Sequence, residues 1–224
     1  MARERQDLAR RIAQDIERGW SVNLGIGIPT LVAQFIQHPE TLVQSENGIL
    51  GMGGPPPPGQ EDPDLVDAGK RPASIVPGGC FFDSLMSFGL IRGGHLDLAV
   101  LGAFQVGANG DIANWRLPHK TTGALGGAAD LAAGARQVWV AMEHVGKNGE
   151  RRLLADCSYP LTARGVVRRI YTDLAVLTPL GQGRFGLVEL ADGVGFADVQ
   201  DLTDAELVPA GDAATTWTGE HAHA

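Results

Sequence analysis

Cysteine, positive charge and long apolar runs are all scarce in this sequence, and each scarcity removes a class of protein. The 224 residues hold two cysteines, Cys80 and Cys157, far apart and without CxxC spacing. They form neither a disulfide framework nor a zinc site, and they read as reduced core thiols in a cytoplasmic protein. Eighteen Lys and Arg against 26 Asp and Glu leave a formal charge of -8. No basic stripe relieves it, which excludes nucleic acid and an anionic membrane as partners. No stretch approaches the ~20 apolar residues of a membrane span, and the charged, amphipathic start from Met1 to Glu17 lacks a signal-peptide core.

Several familiar sites are also missing. His221 and His223 stand in a polar tail with no cysteine near them, so no metal site is expected. Asp83-Ser84 lacks the GxSxG elbow that presents a serine nucleophile. The turn Gly25-x-Gly27-x-x-Thr30 follows a strand and precedes a helix, as a dinucleotide fingerprint would. Its third glycine is absent, and the acidic residue wanted about 20 positions on could only be Glu46.

What the sequence does have is a hydrophobic share of 44%, enough for a sizeable core. Leu8, Ile12, Ala13 and Ile16 recur at helical spacing and predict a first helix over about 3–18. A buried strand over 21–25, the glycine turn and a helix over about 29–37 follow, then a strand over 42–45. Gly51 to Pro63 is too rich in Gly and Pro for regular structure. Strands are predicted at about 73–76, 97–102, 137–142, 174–178 and 186–190, with helices at about 82–91 and 127–135. This alternation predicts an α/β fold: an open, mostly parallel sheet covered by helices on both faces. One domain over 1–209 and a frayed tail over 210–224 are expected.

Glu46 ends an apolar strand, where open α/β sheets place their ligands, and Asn47-Gly48 lets the chain turn away sharply. Spacing alone leaves a solvated turn glutamate equally open. Gly126-Gly127 opens the helix predicted from Ala128, so its backbone can approach a ligand with no Cβ in the way. A nucleophilic carboxylate facing such donors is the minimum equipment for acyl transfer.

The sequence from about residue 4 to 208 resembles the β subunits of the 3-oxoacid CoA-transferases. The most specific stretch is Ser45-Glu46-Asn47-Gly48-Ile49-Leu50-Gly51-Met52-Gly53. Asn23-Leu24-Gly25-Ile26-Gly27-Ile28-Pro29, Arg92-Gly93-Gly94-His95, Leu101 to Val106, Gly110 to Trp115 and Tyr159-Pro160-Leu161-Thr162 also match. The resemblance departs at Ala124, Leu125 and Ala129, around a retained Gly126-Gly127 and Asp130.

The resemblance implies a fold shared with ribose-5-phosphate isomerase and a covalent route. Glu46 would carry the acyl group and then CoA, with the Gly127 N–H in the oxyanion hole. Asn47, Gly48, Gly126 and Gly27 would line the bound thioester. Acyl-CoA and short carboxylic acids would be the substrates, CoA itself being one of them, and no other cofactor would be required. A separate α subunit would complete the site, commonly in a heterotetramer. The Pro55-to-Pro58 run with Gly59 to Asp62, and the 110–115 segment, lean toward succinyl-CoA and 3-oxoadipate, with acetoacetate next. A sugar-phosphate isomerase and a ligand-binding regulatory domain of the same fold are the competing readings.

Overall fold

In a computed structural model, which describes residues 2–210 and 215–217, the chain divides into two compact units. One holds residues 9–102 and 127–138. Helix α1 (Arg5–Asp15) enters it at Ala9 and buries Ala9, Ile12 and Ala13, the apolar stripe that predicted it. Strand β1 (Ser21–Leu24) lies between two parallel neighbours, β2 (Leu42–Ser45) and β5 (Leu98–Leu101). All four residues of β5 are buried, as are Val22, Asn23 and Leu24 of β1, the pattern of a strand covered on both faces.

Two antiparallel strands extend this parallel centre. Strand β3 (Ile49–Gly53) pairs with β2, and β4 (Ser74–Phe81) pairs with β3, giving the order β5-β1-β2-β3-β4. Gly51 to Gly53 therefore belong to a strand, contrary to the expectation of irregular structure from Gly51 onward. The register shifts between Leu50 and Met52, a bulge that Gly51 makes possible at φ +82. A Cβ there would lie 2.9 Å from the Gly79 Cα of β4, so the glycines that read as loop mark a close cross-strand approach.

Helix α2 is short (Ile28–Leu31) and continues as a 3-10 turn over Val32–Phe35. Helix α3 (Ser84–Arg92) is capped by Asp83, whose Oδ1 accepts from the Met86 N–H at 2.8 Å. Helix α4 (Ala128–Gly134) starts from Gly127.

The second unit holds residues 1–8, 103–126 and 139–224. Strands β6 (Gln105–Gly107), β7 (Ile112–Ala113) and β9 (Leu153–Leu154) form a small sheet ordered β7-β6-β9. The larger sheet is ordered β13-β12-β11-β10-β8, from β13 (Glu206–Pro209), β12 (Arg184–Ala191), β11 (Ala175–Gly181), β10 (Val167–Thr172) and β8 (Gln137–Met142). Strand β14 (Thr215–Trp217) runs parallel to β12, and the rest of the tail lies outside the described residues. Helix α5 (Phe196–Asp201) precedes β13. Trp139 and Tyr171 pack at 5.5 Å between ring centroids in this core.

His144, expected to be structural, is fully buried here, with its two ring nitrogens 3.0 Å from the hydroxyls of Thr172 and Thr203. Burial pushes its imidazole down to about 4. The α/β class is as expected; the antiparallel β3, β4 and β10 to β12 add to it. Among the described residues no helix is long and apolar enough to cross a membrane.

Candidate active site

The turn between β2 and β3 is three residues long, Glu46-Asn47-Gly48, flanked by the paired residues Ser45 and Ile49. It closes through the Gly48 N–H, which donates to the Ser45 carbonyl at 2.9 Å. Gly48 has φ +108, and a Cβ on it would collide with the Phe82 carbonyl oxygen. Only glycine fits both conditions. The sharp turn expected at Asn47-Gly48 is thus a β-hairpin, a class that favours glycine at the positive-φ position.

Side chains fix this hairpin from below and beside. Asn23 Nδ2 of β1 donates to Gln44 Oε1 at 2.6 Å, and Gln44 Nε2 donates to Ser87 Oγ of α3 at 2.7 Å. All three residues are buried, so the chain of bonds ties two strands and a helix together two residues before Glu46. Ser45 Oγ donates to Asn47 Oδ1 at 2.6 Å, and Asn47 Nδ2 donates to the Val66 carbonyl at 2.9 Å. Asn47 therefore fastens the 64–72 loop to the turn.

Glu46 is half-buried and reaches the start of α4. A Cβ built on Gly127 would stand 3.0 Å from Glu46 Cδ, still nearer to Glu46 Oε2, and 3.3 Å from Phe88 Cε1 of α3. Gly127 itself has φ -82 and ψ 0, which any residue can adopt. Glycine is needed at 127 for space, to admit the Glu46 carboxylate. Gly126 takes φ +51, and Gly27 caps α2 at φ +101. Nothing lies within 4 Å of a Cβ at either position. Among the predicted residues, then, Glu46 and Gly127 meet, Asn47 and Gly48 shape the turn, and Gly126 and Gly27 face open space.

Burial raises the Glu46 carboxyl above its ordinary range, and the charge of Asp130 raises it further. The solvated turn glutamate that spacing left open is corrected: Glu46 is a partly desolvated carboxylate, and desolvation strengthens both its basicity and its attraction to nearby donors. Asp130 is held by Arg92, whose Nε donates to Oδ1 at 2.7 Å.

The residues from Glu46 to Asp130 thus assemble a crowded but unstrained wall around one carboxylate, the arrangement expected where a side chain acts as nucleophile. The coenzyme A transferase family pattern matches residues 5–200 of the chain. This chain belongs to the coenzyme A transferase family. It is 50% identical over 205 residues to the β subunit of 3-oxoadipate CoA-transferase from Pseudomonas putida, covering 91% of this chain and 96% of that one. It is 48% identical over 203 residues to the β subunit of succinyl-CoA:3-ketoacid coenzyme A transferase from Helicobacter pylori, covering 91% and 98%. The fold is also that of an acyl-CoA transferase from Escherichia coli O157:H7 solved as a thioester complex with CoA, at a TM-score of 0.75 and 19% identity. The match spans 98% of this chain and 44% of that one, so this transferase chain corresponds to less than half of that protein's length.

Asn23, Gln44 and Ser87 were not predicted from the sequence, nor was the pair Arg92 and Asp130. Asn23 and Arg92 lie inside stretches that carried the resemblance, and Asp130 is retained beside Gly126-Gly127. Their spacing along the chain carries no period that would have joined them; only strand register and the packing of α3 on α4 do.

Proposed function

We propose that this chain is the β subunit of a transferase that moves CoA from succinyl-CoA to a short 3-oxo acid, 3-oxoadipate first and acetoacetate next, through Glu46. The observation that carries the proposal is the placement of the Glu46 carboxylate against Gly127, where no side chain intervenes. Glu46 attacks the thioester carbonyl; the C–S bond breaks, and CoA leaves as thiolate with a mixed anhydride on the enzyme. The thiolate then attacks the Glu46 carbonyl carbon, releasing succinate and forming a glutamyl-CoA thioester. The acceptor carboxylate repeats the two steps in reverse and regenerates Glu46. No net proton or electron is exchanged, so the cycle needs no metal or redox group.

Each addition places negative charge on a former carbonyl oxygen. The Gly127 N–H is the donor proposed for it, and one such donor is typically worth about 10²–10³ in rate. Asn47, Gly48, Gly126 and Gly27 are the proposed backbone and polar surface along the thioester. The preference for 3-oxoadipate is supported by the Pro55-to-Pro58 run and the 110–115 segment. Support for an α-subunit partner comes from the names of the two relatives, each of which is one subunit of its enzyme.

Initial rates of the two-subunit enzyme, with succinyl-CoA varied at several fixed concentrations of 3-oxoadipate and of acetoacetate, test this reading. It requires parallel double-reciprocal lines, a higher kcat/KM for 3-oxoadipate, and a loss of about 10²-fold or more in Glu46→Asp, whose carboxylate is withdrawn by one methylene. Intersecting lines, or turnover surviving in Glu46→Gln, would contradict it.

A further inference from the structure

The two charged groups nearest to Glu46 on the neighbouring helices are themselves bonded to one another. Asp130 lies in the first turn of α4, three residues after Gly127. Arg92 ends α3, donates to Asp130 at 2.7 Å and lies 5.5 Å from the centroid of the Phe88 ring. The Phe88 ring edge in turn abuts Gly127. Arg92 therefore lies against both the ring that backs Gly127 and the anion that faces Glu46.

We infer that Arg92 and Asp130 form a positioning pair for Glu46, in which Arg92 restrains and compensates the Asp130 carboxylate so that Glu46 faces an ion pair rather than an isolated anion. The inference rests on the proposed role of Glu46 and deepens it. The surrounding charges leave this task to the pair. Asp83, at the other end of α3, uses Oδ1 on the Met86 N–H. On the loop that Asn47 fastens, Asp67 is bound by Arg71 at 3.0 Å. Asp130 is the charged group that raises the Glu46 carboxyl, after burial.

The sign follows from the charges. A Glu46 proton is favoured by a bare Asp130 anion, so removing Arg92 must move Glu46 ionisation to higher pH, and removing Asp130 must move it to lower pH. Arg92 acts through Asp130, so its removal must matter much less once Asp130 is neutral.

Carbon-13 NMR of the full chain labelled at glutamate Cδ reads this directly, with the Glu46 signal assigned by its loss in Glu46→Gln. Arg92→Gln should titrate at higher pH than the unmodified chain, Asp130→Asn at lower pH, and Arg92→Lys close to the unmodified chain. Arg92→Gln in the Asp130→Asn background should add little. The acid limb of kcat/KM in the two-subunit enzyme should move in the same directions. An unmoved Glu46 titration in Arg92→Gln, or an equal shift with and without Asp130, would overturn the inference. Should Glu46→Gln stay active while these shifts occur, the covalent reading fails and the electrostatic pair stands.

Discussion

Gly127 shows how a residue without a side chain can define an active site. Its backbone angles are ordinary, so substitution by alanine costs no backbone strain, and the effect falls on the Glu46 carboxylate that occupies the space of the missing Cβ. Gly127→Ala should displace that carboxylate and reduce turnover by about 10²-fold, the scale of a 1 Å misplacement of a reacting group. Circular dichroism and melting temperature should stay close to those of the unmodified chain. Turnover near normal in that variant would separate Gly127 from the chemistry. The sequence pointed to Gly127 for its backbone donor at a helix start. The space it leaves for Glu46 was illegible there, because the two residues are 81 positions apart (127 minus 46) and meet only through folding.

At the scale of elements, the hairpin that bears Glu46 is held by the buried chain Asn23, Gln44 and Ser87. Ser87→Ala would leave Gln44 Nε2 buried without its acceptor, at a cost of about 1–3 kcal/mol. A urea titration should show that loss, and the loosened β2 end should lower kcat more than it raises KM. A variant as stable as the parent would show that the network is dispensable. The parallel centre was legible because β1, β2 and β5 are short apolar runs, and α1, α3 and α4 were legible from helical spacing and the flanking glycines. The antiparallel β3 was hidden by Gly51 and Gly53, which local propensity assigns to loops. Cross-strand register with β4 overrides that propensity. The buried polar chain had no sequence signal, since Asn, Gln and Ser are usually surface residues.

For the whole molecule the charge is the governing quantity. CoA carries several phosphate charges, yet the chain has a formal charge of -8. Arg5, Arg18, Arg71, Arg92, Arg136 and Arg151 are already held by carboxylates. A site that holds a polyanion and stabilises successive oxyanions therefore draws on a second surface. The purified chain should be inactive alone and gain transferase activity with a co-expressed α subunit, with light scattering confirming the association. The same preparations allow the central claim to be tested most directly. Succinyl-CoA is added without acceptor, the product is trapped with hydroxylamine, and the peptides are mapped by mass spectrometry. Glu46 as the CoA carrier predicts a hydroxamate on the peptide containing Ser45 to Gly48, formed only in the two-subunit enzyme and lost in Glu46→Gln. Labelling at another residue, or labelling that survives Glu46→Gln, would contradict it.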